Sequence, residues 1–256
     1  MSLVSNLFLL FVAASILIYY IVPRKSQWIV LLIFSYLYYI AGGPRYVVFI
    51  LFSTLVTWLM ALLIEKAEGK ENHKGARKLL ILGLILNFGM LGIVKYTNFA
   101  VENINALLHL NLRGIQLLLP LGISFYTFQS SGYLLDVYWK RCKAERHPLK
   151  YALFVSFFPQ ILQGPIGRYS RLADQLYAEH RFEGNNIIRG FERILWGFFK
   201  KMILADWAAV FADAIFEDPA KYNGVALLLF YFYTIHLYSD FSGGMVVVIG
   251  DRKSVV

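Results

Sequence analysis

The chain has 256 residues, of which 58% are hydrophobic, 17% aromatic and only 16% charged, with a formal net charge of +9 and a mean hydropathy of +0.56. A soluble domain runs about 45–50% apolar and about 25% charged, so disorder, a disulfide scaffold and a nucleic-acid-binding module are excluded. One cysteine, Cys142, allows neither an intrachain disulfide nor a cysteine-based zinc site, and in so apolar a chain the positive charge points to an anionic membrane face.

A helix needs about 20 apolar residues to cross about 30 Å of hydrocarbon. Leu3–Val22 meets that length with no charge inside, and without a basic leader or small-residue cleavage site it reads as a span rather than a signal peptide. Trp28–Ala41 is shorter and stops at Gly42-Gly43-Pro44; Tyr46–Ile64 and Leu79–Val94 follow. Leu117–Tyr138 holds Pro120, Gly122 and Gly132, which predicts a kinked or broken helix. Val225–Tyr238 is the last long apolar stretch and ends in a polar cluster. These segments predict an all-α, polytopic membrane domain of about six to eight membrane helices with re-entrant and interfacial parts.

Loop charge orients the spans. Arg24-Lys25, Glu65–Lys78 and Trp139–Lys150 are basic, whereas Gly42–Arg45 and Lys95–Gln116 carry little charge. The positive-inside rule then puts the N-terminus outside and the basic loops in the cytoplasm. Tyr151–Gly167 breaks the alternation, because the following Arg168–Lys201 carries seven basic and four acidic residues. Its apolar part is short and runs into Pro159, Gln160, Gln163, Gly164 and Pro165. That pattern predicts a segment that dips into the membrane and returns, with its irregular backbone lining a cavity or buried in protein. Ile187–Phe216 has helical periodicity interrupted by charge, as in an interfacial amphipathic helix or a tilted, protein-buried one.

His73, His147 and His180 sit in charged loops and read as solvated, and His109 lies in a near-neutral loop. His236 differs: it lies in an apolar stretch four residues before Asp240, on the same helical face. The two form either a His–Asp pair tuning a base or a polar pair closing a helix end. Gln160, Gln163, Arg168, His236 and Asp240 are the candidates for the wall of a polar cavity. No metal-ligand pattern, phosphate loop or hydrolase motif occurs. A transporter or a non-catalytic scaffold fits these features as well as an enzyme does.

Several strings together are more specific. Leu119-Pro-Leu-Gly-Ile-Ser-Phe-Tyr-Thr-Phe-Gln129 with Asp136-Val-Tyr138, Phe157-Phe-Pro-Gln-Ile-Leu-Gln-Gly-Pro-Ile166 with Arg168, Gly197-Phe-Phe-Lys-Lys201 with Ala205-Asp206, and Tyr238-Ser-Asp-Phe-Ser-Gly243 stand in order. With Tyr36-Leu-Tyr-Tyr39 and Lys95-Tyr-Thr-Asn-Phe99, the chain resembles the membrane-bound O-acyltransferase family, in its alginate O-acetyltransferase-like branch. The resemblance implies a multi-pass protein of the plasma or inner membrane whose helices enclose a tunnel. It implies acetyl-CoA as acyl-donor substrate rather than a permanently bound cofactor, an extracytoplasmic acetyltransferase partner and a surface polysaccharide as eventual acceptor. A related branch transfers D-alanine to teichoic acid. The family's catalytic histidine lies in a Trp-Arg-Arg-Trp-His-like motif downstream of Asp-Phe-Ser-Gly, and no such motif occurs here. Hence no residue is assigned as catalytic, and Val246 stands where many relatives carry an acid. Asp251-Arg-Lys-Ser-Val-Val256 departs from the family pattern and reads like a translated sequencing adapter. The expectation is therefore an incomplete fold: residues 1–250 as the N-terminal part of the acyltransferase domain, 251–256 as a non-native tail, and no activity from this piece alone.

Overall fold

The computed structural model describes residues 6–108, 120–163, 166–217, 221 and 226–255, and among these no strand occurs. His109 lies outside the described residues. The chain divides into two compact units, one made of residues 1–24, 162–165 and 179–256, the other of residues 25–161 and 166–178.

The second unit is built on α2 (Gln27–Gly42), α3 (Val47–Glu68) and α4 (His73–Leu108), with α5 (Ile123–Tyr138), α6 (Pro148–Ser156), α7 (Phe158–Gln163) as far as Ile161, and α8 (Tyr169–Tyr177). Segments Pro44–Glu68 and His73–Leu108 are long and apolar enough to cross a membrane, each with about a third or less of its apolar window buried. Their outward faces carry Leu51, Leu55, Ile85 and Ile93, a composition suited to hydrocarbon rather than water. The inward face is polar. Asn87 of α4 accepts from the Ser53 hydroxyl at 2.6 Å and donates to the Thr57 hydroxyl at 3.0 Å and the Gly83 carbonyl at 2.9 Å. All three side chains are fully buried. Such interhelical bonds hold helices together where lipid offers no hydrophobic drive for their association.

Two expected boundaries move. Leu79–Val94 is only the middle of α4, which continues through Lys95-Tyr-Thr-Asn-Phe99 to Leu108. At about 1.5 Å per residue its 36 residues span about 54 Å, so its polar ends outreach the hydrocarbon. In the described part of Leu117–Tyr138, from Pro120 on, Gly122 takes φ +66 immediately before α5, and Gly132 leaves the helix intact. Only glycine suits Gly122, because the left-handed backbone is strained for other residues and a Cβ there would lie 3.0 Å from the Ile161 carbonyl oxygen.

The broken segment at Tyr151–Gly167 resolves into α6 and α7, separated by the non-helical Phe157 at φ −52, ψ 108. Residues 151–161 are buried throughout, so protein rather than an open cavity encloses this irregular backbone. The break leaves backbone groups without helical partners, and side chains supply them. The Phe158 N–H donates to the Ser35 hydroxyl at 3.2 Å, and the Phe154 carbonyl accepts from the Gln129 amide at 3.0 Å. Tyr133, Tyr151, Phe154 and Tyr169 pack their rings around this point at centroid separations between 4.7 and 6.5 Å.

The first unit contains α1 (Asn6–Ile21), α9 (Gly184–Phe198), a π-helical turn (Phe199–Ala205), α10 (Asp206–Glu217) and α11 (Ala226–Val255). Helix α11 packs against α9, the π turn, α10 and α1. It does not end at the polar cluster after Tyr238, as the apolar stretch suggested, but carries through Ser242-Gly243-Gly244 to Val255. His180 is not simply solvated: its Nδ1 lies 2.9 Å from the hydroxyl of the fully buried Tyr19. His73, by contrast, is exposed and pairs with Glu68 at 2.9 Å.

Candidate functional site

In the first unit the strings Gly197–Lys201, Ala205-Asp206 and Tyr238–Gly243 come together. Approach is possible because position 243 has no side chain. A Cβ on Gly243 would stand 2.9 Å from the Gly197 carbonyl oxygen and 3.1 Å from the Lys201 amide nitrogen, both backbone atoms. Two helices thus touch backbone to backbone at the place where one of them widens into a π turn. Such a turn interrupts the regular i→i−4 ladder and is frequent at functional sites.

The turn organises the polar groups. Lys201 reaches Asp240 on α11 and Asp206 at the start of α10, the latter at 3.2 Å. His236 sits one turn before Asp240, and its Nδ1 is 2.9 Å from the Ala205 carbonyl oxygen. A carbonyl only accepts, so Nδ1 is the donor in this bond. His236 and Asp240 share a face but do not pair with each other. Each engages the π turn, the histidine through backbone and the aspartate through Lys201. Both are half-buried.

In the second unit, Gln160 is buried and its amide lies against Gly167. Arg168 is exposed and occupies the extended position before α8. Gln163 is the last residue of α7, and its side chain lies outside the described residues. The five cavity candidates therefore fall in different units: Gln163, His236 and Asp240 belong to one, Gln160 and Arg168 to the other.

Two sets of residues escaped the candidate list. Lys201 and Asp206 were visible as part of a motif, but only the π turn shows that they meet Asp240. Glu145, the sole acid of the basic 139–150 loop, is a hub. Its carboxylate accepts from the Tyr169 hydroxyl at 2.6 Å and the His147 N–H at 2.8 Å. Its backbone carbonyl accepts from the Trp58 indole at 2.9 Å, and its N–H donates to the Tyr133 hydroxyl at 2.8 Å. A lone carboxylate amid five cations was the available signal. Beside it, Cys142, Lys143, Arg146, Tyr169, Asp174 and Tyr177 line a polar cavity of about 400 Å³.

No protein-family model matches the chain. It is 35% identical over 253 residues to the probable alginate O-acetylase AlgI of Pseudomonas syringae pv. tomato, covering 96% of this chain and 48% of that protein. It is 33% identical over 250 residues to the peptidoglycan O-acetyltransferase of Helicobacter pylori, covering 87% of this chain and 46% of that one. It is also 33% identical over 136 residues to the teichoic acid D-alanyltransferase of Bacillus subtilis, covering 51% and 34%. The chain spans about half the length of the first of these relatives. Identity along nearly the whole chain, taken with apolar helices of membrane length and the two of the ordered strings that meet at one π turn, places this membrane protein in the membrane-bound O-acyltransferase family, in the alginate O-acetylase-like branch.

Proposed function

We propose that this chain forms the N-terminal part, residues 1–250, of a multi-pass inner-membrane enzyme that moves an acetyl group from cytoplasmic acetyl-CoA to a hydroxyl of a surface polysaccharide. The observation that carries the reading is the meeting of Lys201, Asp206, Asp240 and His236 at the π turn. Charge and a histidine within apolar helices are costly, and by default they mark a functional path. In the transfer, the acceptor oxygen bonds to the acyl carbon, the thioester C–S bond breaks, and the hydroxyl proton passes through a base to the departing thiolate. An enclosed site brings donor and acceptor together and keeps water from the thioester.

Gln163, His236 and Asp240 stand as tunnel candidates in the first unit, and Gln160 and Arg168 in the second. The general base is expected from a Trp-Arg-Arg-Trp-His-like motif, which these 256 residues lack. The six-to-eight-span count, the re-entrant course of residues 151–167 and an extracytoplasmic acetyltransferase partner belong to the same proposal.

The test compares polysaccharide O-acetyl content in cells carrying residues 1–250 with that in cells carrying a version extended by family sequence containing that motif. A base contributes about 10²–10⁴-fold, so the extended version should acetylate and the short one should not. Equal acetylation by both would overturn the reading. The likeness to the D-alanyltransferase over 136 residues supports a second reading, transfer of D-alanine to teichoic acid. Labelled acetate and labelled D-alanine, supplied in parallel to the extended version, separate the two.

A further inference from the structure

The polar cavity of about 400 Å³ lies wholly within the second unit, between the 142–146 loop and one face of α8. Its volume falls in the range of about 300–1,000 Å³ usual for small-molecule sites. Two cations, Lys143 and Arg146, and two acids, Glu145 and Asp174, line it. A purely anionic ligand would meet two carboxylates there, and a purely cationic one two positive charges, and such like-charge encounters are repulsive. A ligand that carries both signs matches the lining.

The four charges differ in how far the fold already uses them. Arg146 is paired with Glu65, and the Glu145 carboxylate accepts from the Tyr169 hydroxyl and the His147 N–H. Both keep spare capacity, since a guanidinium has several donors and a carboxylate several lone pairs. Lys143 and Asp174 are exposed, and among the described residues neither side chain has an ion pair or a hydrogen bond. Arg171, one turn before Asp174, does not line the cavity. Loop and helix thus offer one unengaged charge of each sign.

The remaining walls limit the kind of ligand. Ala144 and Ala173 are short, and the Tyr169 and Tyr177 hydroxyls are engaged by Glu145 and the Lys150 carbonyl. No Leu, Ile, Val or Met lines the cavity, so an acyl chain finds no wall there. That favours a free, water-soluble zwitterion over a lipid headgroup.

We propose that this cavity binds a free α-amino acid, its carboxylate between Lys143 and Arg146 and its ammonium between Asp174 and Glu145. The site is independent of the acyl-transfer reading.

Cys142 lines the same cavity and is the sole cysteine of the chain, so its alkylation rate reports occupancy directly. The purified chain in a nonionic detergent is alkylated at fixed pH with rising amounts of an equimolar mixture of α-amino acids lacking cysteine, and then with its members singly. Alkylation should slow several-fold and saturably. Acetate, ethylamine and acetamide, each at matched ionic strength, should leave the rate unchanged. An exposed ion pair is worth up to about fivefold, so Lys143→Gln and Asp174→Asn should each raise the half-protecting concentration by about that factor, relative to the variant's own unliganded rate. No slowing by the mixture would overturn the proposal, as would equal slowing by acetate, ethylamine or acetamide, or protection that is unchanged in both variants. Neither substitution orphans a partner, and should a melting curve show one of them unfolded, the mixture against the three single-function controls on the wild-type chain still decides.

Discussion

The α3–α4 contact and the α9–α11 contact solve the same problem with different groups. Between α3 and α4, a neutral amide and two hydroxyls satisfy one another inside an apolar pair, with Asn87, Ser53 and Thr57 fully buried. Between α9 and α11 the helices meet at bare glycine backbone, and the polar groups are an ammonium, two carboxylates and an imidazole, all at least partly open to the surroundings. Neutral, closed networks serve packing at low desolvation cost. Charges held half-open on a π turn cost more, and that cost is the basis of the group-transfer role proposed for them. Glu145 lies between these cases: it is a carboxylate, but its partners are neutral groups, the Trp58 indole and Tyr169 hydroxyl donating to it and the Tyr133 hydroxyl accepting from its N–H, that tie one loop to α3, α5 and α8.

The comparison breaks most readily at the glycine contact. Gly243→Leu forces backbone against side chain at 2.9 Å, and overpacking of that kind costs about 3 kcal/mol. The expected result is a large fall in thermal midpoint or loss of the folded form in detergent. An unchanged melting curve would show that α11 does not lie on α9.

Cys142 reports on the packing of the 139–150 loop. Burial pushes its thiol up to about 11 from 9.0, with Asp136 and Glu65 adding to the rise. A raised thiol pKa leaves less thiolate below it, so alkylation at pH 7 should be about a hundredfold slower than for an exposed thiol, rising about tenfold per pH unit. Labelling at the rate of a free thiol would mean that the loop is open.

Asn87→Ala should cost about 2 kcal/mol, because it leaves the buried Ser53 and Thr57 hydroxyls without their shared partner. Chemical denaturation in mixed micelles measures it, and a loss within error would make that network incidental. Glu145→Gln should cost about 1 kcal/mol. The amide retains one acceptor for Tyr169 or the His147 N–H but not both, and the same denaturation experiment resolves it.

Much of this is readable in the residues. Apolar length gave α1, α2 and α3 to within a few positions, and Pro159 with the surrounding glutamines announced the break that Ser35 and Gln129 satisfy. Hydropathy missed the continuation of α4 past Lys95 and of α11 past Tyr238, since helices keep their backbone bonds after leaving an apolar stretch. His236 and Asp240 were legible as ionisable groups on one helical face. Their partners were not, because a π turn depends on where the neighbouring helix presses, and Gly243 presses at Lys201. The role of Glu145 was hidden for a similar reason: three of its four partners lie more than ten residues away in sequence.

Under the proposed function, the charged contact serves group transfer while the neutral one serves folding. Acetyl transfer per folded molecule, measured on the extended enzyme carrying Lys201→Met or Asn87→Ala, tests it most directly. Removing a positioned charge from a site of this kind costs about 10²-fold in rate. The Lys201 variant should fall by that order while remaining folded, and the Asn87 variant should keep its activity per molecule while losing stability. Full activity in the Lys201 variant, or a loss in the Asn87 variant that exceeds its loss of folded protein, would contradict the account.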